Sequence, residues 1–147
     1  MTLGLAAAAD VLVQDYMSVK QGENVLITAD TAGDSSVWQA ILTAAQQADA
    51  QAALMLLPQL PFQGRLADPY LTPTLFGAVL ASDVWIDLTF PYLAGSELYD
   101  DAIKTGKVRY LLGGDMTAGG LTRLFGRVDL DKYYEVHKAF DKLINEA

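Results

Sequence analysis

Asp30, Asp34 and Asp115 are acidic residues that the chain could bring to one place, and Tyr92 is an aromatic in a nearby loop. Three carboxylates converging at one spot could hold a hard cation, since calcium and magnesium take several oxygen ligands. The plainer reading of Asp30 and Asp34 is capping, because Asp and Ser following a strand hold the first N–H groups of the next helix. Tyr92, with Phe62, Tyr70 and Phe90, could line a pocket or an interface, or simply anchor loops.

Other chemistries are poorly supplied. The chain has no cysteine, which removes disulfides, thiolate metal sites and thiol nucleophiles. His137 is its single histidine, and a zinc site needs three or four His, Cys or carboxylate ligands. A Ser-His-Asp arrangement would have to use His137, yet no Gly-x-Ser-x-Gly turn presents a serine. On the last helix His137 neighbours Tyr133 and Phe140, so packing in the core is the expectation for it. The turn Asp30-Thr-Ala-Gly-Asp34 has one glycine and two negative charges, which would repel a phosphate. The glycines around Asp115 come without a lysine and read as a tight turn or hinge.

These residues matter only if the fold gathers them. Four dense apolar runs, Val25–Ala29, Ala52–Leu57, Val84–Leu88 and Val108–Leu112, read as strands, and the continuous run Ala52–Leu57 as one buried on both faces. A first helix over Leu5–Val19 closes at Gly22, and a second, capped by Asp34 or Ser35, runs through Trp38, Ile41 and Ala45. After a long loop to Leu71, Thr72-Pro73 starts a third helix that ends near Ala81. Ser96 caps a fourth that Gly106 closes. Thr117-Ala-Gly-Gly120 reads as a flexible connector, and a last helix from Asp129 carries Tyr133, His137, Phe140 and Ile144 on one stripe. Strands alternating with helices imply parallel pairing through right-handed crossovers. The expectation is one α/β domain, three-layered and mostly parallel, Rossmann-like or flavodoxin-like, with strand order 2-1-3-4. In such sheets ligands collect beyond the carboxyl ends of the strands, where Asp30, Asp34, Tyr92 and Asp115 fall.

With 147 residues the chain can bury its own core. Its net charge of −8 argues against nucleic acid as a partner, which is held by clustered Lys and Arg. The apolar N-terminal stretch from Leu3 lacks a basic leader and is broken by Asp10, unlike a signal peptide, and no stretch is long enough to span a membrane. A cytoplasmic location is the expectation. An apolar fraction of 52% with only 19% charged residues leaves some apolar surface for a partner.

Several passages together resemble the N-terminal domain of the family that joins aminopeptidase T-like (thermophilic) leucyl aminopeptidases with the ring-cleaving dihydroxypyridine dioxygenase. They are Val19-Lys-Gln-Gly-Glu-Asn-Val-Leu-Ile27, Ala45-Gln-Gln-Ala-Asp-Ala50, Ala81-Ser-Asp-Val-Trp-Ile86 and Asp131-Lys-Tyr-Tyr-Glu-Val-His-Lys138. The resemblance implies a Rossmann-like domain preceding a larger catalytic domain whose side chains bind a divalent metal. None of those ligands has a counterpart here, so no catalytic or metal residue is assigned to this chain. Its last helix has no stop signal before Ala147, so the expectation is the N-terminal part of a longer two-domain enzyme. Its partners would be the missing C-terminal catalytic domain and other copies of itself, and it would hold no cofactor of its own. The alternative is a stand-alone small-molecule-binding or regulatory module.

Overall fold

The computed structural model describes residues 3–146; the terminal Ala147, where the chain was expected to stop inside a helix, lies outside them. Four strands, β1 (Asn24–Asp30), β2 (Gln51–Leu57), β3 (Val84–Asp87) and β4 (Arg109–Leu112), form one sheet in the order β2-β1-β3-β4. Every pairing is parallel, as the crossover helices require. The expected order and strand positions agree with this sheet to within a residue or two at the ends.

The pleat sorts the core into two halves. Val25, Ile27 and Ala29 of β1, with Val84 and Ile86 of β3, face α1 (Leu3–Asp10), α2 (Ser35–Gln47) and α5 (Ala118–Phe125). Leu26 and Trp85, one residue out of phase, face α3 (Pro73–Ala81) and α4 (Glu97–Lys104). Three layers result. The helix starts follow side-chain chemistry: Asp34 accepts from Ser36 N, Thr72 from Leu75 N, Ser96 from Tyr99 N and Thr117 from Gly120 N.

Five expectations need correction. The first helix does not run regularly to Val19. After Asp10 it widens into a π-helical turn over Val11–Tyr16, and Ser18 takes a left-handed backbone at φ 49°. Gly22, at φ 80°, belongs to the turn into β1, where its N–H reaches Asp49 O at 2.9 Å. The apolar run of β2 is not buried on both faces: it forms a sheet edge, and Leu56 is 50% exposed. The long loop before Leu71 contains a 3-10 helix, Gly64–Tyr70. Thr117-Ala-Gly-Gly120 is no flexible connector, because the Thr117 hydroxyl caps it into the first turn of α5. Finally, α6 (Leu130–Asn145) buries none of its residues, so His137 is exposed, with its ring 5.1 Å from that of Tyr133 and tilted by 53° to it.

At the carboxyl end of β3 one buried carboxylate gathers the surrounding chain. Asp87 is fully buried, and its Oδ1 accepts from Thr28 Oγ1 (3.0 Å), Thr89 N (3.1 Å) and Thr89 Oγ1 (2.7 Å). Its Oδ2 accepts from Leu93 N (3.1 Å) and Tyr110 Oη (3.0 Å). Trp85 Nε1 donates to Thr28 Oγ1 at 2.9 Å, so the one hydroxyl proton of Thr28 is left for Asp87. Burial pushes the Asp87 carboxyl above the usual carboxylate range, and the donors from Thr89, Leu93 and Tyr110 oppose that shift. Burial and the adjacent Asp87 charge raise Tyr110. At the opposite end of the sheet, Arg109 makes a two-point contact with Glu23 (3.0 and 2.6 Å) and also donates to Met17 O at 3.2 Å. β4 is thereby tied to the entry of β1 and to the end of the π-helical turn.

Two measurements check these ties. Asp87→Ala strands the buried Leu93 N–H and the Thr28 and Tyr110 hydroxyls, and chemical denaturation should show a loss of about 3 kcal/mol. Arg109→Gln should cost about 1 kcal/mol at neutral pH, because the pair is partly exposed. The hydrogen bond from Arg109 is the main cause holding the Glu23 carboxyl below its ordinary 4.5. Its contribution is therefore complete above pH 4.5 and is lost as pH falls through the lowered folded value. The stability gap between wild type and Arg109→Gln should close over that acid range; a constant gap would show that the ion pair is not its source.

Candidate functional site

The strand order reverses between β1 and β3: from β1 the chain crosses one face to β2, and it returns across the other face to β3. The loops after these two strands therefore diverge and leave a crevice, the place where open α/β sheets bind ligands. A cleft of about 230 Å³ lies there, lined among others by Asp30, Asp34, Trp38, Phe90, Asp115 and Met116.

Each aspartate reaches the cleft for a different reason. Asp30 ends β1 at 3% exposure; its Oδ1 accepts from Ala32 N at 2.8 Å and its Oδ2 from Phe90 N at 2.7 Å. One carboxylate thus turns the chain after β1 and pins the loop after β3. Gln59, from the loop after β2, donates through Nε2 to the Phe90 carbonyl at 3.0 Å and fixes the same residue from the other side. Asp34 caps α2, with Oδ1 accepting from Ser36 N (3.0 Å) and Ser36 Oγ (2.6 Å). Its Oδ2 accepts from Ala118 N at 2.9 Å, which joins the starts of α2 and α5. The Ser36 hydroxyl, then the Ala118 N–H, hold the Asp34 carboxyl below the usual range, so it is ionised at neutral pH. Asp115 follows β4 in a left-handed turn at φ 58°, which Asp tolerates better than most residues, and its side chain is exposed. It makes no hydrogen bond or ion pair among the described residues. The adjacent Gly114 is obligatory, because a Cβ there would come within 2.8 Å of Thr89 O.

Three of the four candidate residues, Asp30, Asp34 and Asp115, therefore border one cleft. Tyr92 lies outside its lining: its hydroxyl accepts from Gln63 Nε2 at 3.1 Å, and its carbonyl receives Gly64 N at 3.3 Å. It fastens the 3-10 segment to the loop that begins at the cis Phe90–Pro91 peptide. Among the described residues no group of three or more His, Asp or Glu is placed to hold a metal ion. Capping and loop fastening account for both oxygens of Asp30 and of Asp34. Sequence reasoning missed Trp38 as a cleft residue. Trp38 stands one turn beyond the Asp34 cap, a spacing that returns a long side chain toward the helix start and could have indicated it.

No family model matches the sequence, and no curated protein matches it. A solved structure does: 2,5-dihydroxypyridine dioxygenase from Pseudomonas putida KT2440 superposes with a TM-score of 0.59 over 74% of this chain at 20% identity. The chain spans 33% of the length of that dioxygenase chain. At this identity the likeness is one of fold. It agrees with the dioxygenase half of the resemblance read from the sequence, and nothing in it supports the aminopeptidase half.

Proposed function

We propose that this chain is a non-catalytic, N-terminal-type α/β domain of a larger cytoplasmic metalloenzyme related to the ring-cleaving dihydroxypyridine dioxygenases and the leucyl aminopeptidases. In that enzyme it would shape one wall of the substrate cleft and supply a domain or subunit contact. The observation that carries this reading is α6. Its sixteen residues place Tyr133, Val136, Phe140, Leu143 and Ile144 on neighbouring turns, and Val136, Phe140, Leu143 and Ile144 are 55%, 60%, 66% and 73% exposed. An amphipathic helix gains its stability by covering its apolar face, and among the described residues of this helix none is buried. A catalytic domain following this one is the cover the proposal favours, with a second copy of the chain as a further contact.

The fold likeness to part of a dioxygenase is consistent with this reading. A divalent metal belongs to the catalytic domain in that scheme, and the residues of this chain do not fit one. His137 is alone and exposed, and the Asp30 and Asp34 oxygens are taken up by N–H and O–H donors. No chemical step is therefore routed through a metal here. The strand-end cleft also favours a second reading, a stand-alone module that binds a small molecule.

Calorimetric titration with zinc, manganese and iron(II), beside assays with a leucyl anilide and with 2,5-dihydroxypyridine, tests the proposal. The expected outcome is no submicromolar binding and no turnover by this chain. Turnover abolished by Asp30→Ala or Asp115→Ala would overturn it and make the chain a small enzyme. Phe140→Lys and Ile144→Lys should leave stability within about 0.5 kcal/mol, since neither side chain packs on the body, while abolishing any self-association in sedimentation.

A further inference from the structure

We propose that the strand-end cleft binds a small organic cation with a flat body, such as a protonated amine, amidine or guanidine. This rests on the reading of that cleft as a ligand-facing wall. At about 230 Å³ the cleft falls below the roughly 300–1,000 Å³ of drug-sized sites, so its occupant is small. Its position at the reversal of strand order is where the backbone opens between β1 and β3.

The lining selects the charge. Asp30, Asp34 and Asp115 border the cleft and no Lys, Arg or His does, so its field favours a cation and rejects phosphates and carboxylates. Asp30 and Asp34 contribute as fixed charges, because hydrogen bonds to N–H donors lock both in place. Of the three, Asp115 is the one whose carboxylate makes no hydrogen bond or ion pair among the described residues, which leaves it to pair with a ligand. A bare metal ion is the poorer fit, because no group of three donors converges among the described residues.

The walls select the body. Trp38 is half-buried, and Phe90, 46% exposed, is held by its N–H on Asp30 and its carbonyl on Gln59. Met116 adds a polarisable thioether. Aromatic faces beside a carboxylate attract a delocalised cation through both ring quadrupole and charge.

The test uses the intact chain and three probes of one shape: benzamidinium, benzamide and benzoate. Of the two tryptophans, Trp85 is fully buried against Thr28, so a ligand in the cleft reports through Trp38. Benzamidinium should shift the emission saturably at concentrations of about 1 mM or below, with benzamide and benzoate at least about tenfold weaker. Asp115→Asn, an exposed loop change, should weaken benzamidinium about tenfold, and added salt should weaken it as well. Trp38→Phe should remove the optical signal while calorimetry still detects binding. Equal responses to the three probes, indifference to Asp115→Asn, or no saturation by about 10 mM would overturn the proposal. Because no turnover is measured, this failure is distinct from failure of the non-catalytic reading, which turns on activity.

Discussion

A buried carboxylate that must be satisfied is the constraint on which the upper end of this sheet depends. Removing Asp87 from water is costly unless its lone pairs find donors, and the chain meets that demand with five. Those donors come from β1 (Thr28), from the turn after β3 (Thr89), from the loop leading to α4 (Leu93) and from β4 (Tyr110). Satisfying one group therefore sets the relative positions of three strands and the path of the chain leaving β3. Trp85 extends the network by orienting Thr28, and its ring packs 4.7 Å from that of Tyr110, so the polar cluster is closed off by apolar surface on the α3/α4 face.

Asp30 and Asp34 repeat the device nearer solvent. Each uses one oxygen to turn or cap its own segment and the other to hold a segment distant in sequence, Phe90 in one case and Ala118 in the other. Carboxylates that look like a cluster of ligands are thereby spent on architecture, whereas Asp115 makes no hydrogen bond or ion pair among the described residues. The strand-end loops are cross-tied, whereas among the described residues no side chain of α6 is buried.

Much of this was legible in the residues. Continuous apolar runs separated by helical periodicity indicated the four parallel strands and their order, and Asp34, Thr72-Pro73 and Ser96 marked helix starts where the structure has them. The gathering of Asp30, Asp34 and Asp115 followed from the rule that parallel strands end on one edge. What escaped reading depended on tertiary context. Asp87 looked like one polar residue in a strand, and only the parity of β3 against Thr28 and Tyr110 makes it a hub. An apolar run does not reveal whether its strand is central or, like β2, at an edge. The Gly-Gly pair after Thr117 suggested flexibility, but the Thr117 hydroxyl and the Asp34 carboxylate organise it into a helix start. His137 shows the limit of stripe arguments: periodicity identifies a face without showing that anything covers it.

The strand-end carboxylates fasten backbone amides, and native-state hydrogen exchange reads those amides directly. Ala32, Phe90, Leu93 and Ala118 lie in loops or at a helix start, where unfastened N–H groups exchange freely. Marked protection is expected at all four, with Leu93, bonded to the buried Asp87, exchanging the slowest. Asp30→Ala should release Ala32 and Phe90 while sparing Leu93. Exchange of the four amides at the rate of exposed loops, or release of all four together by Asp30→Ala, would contradict this fastening.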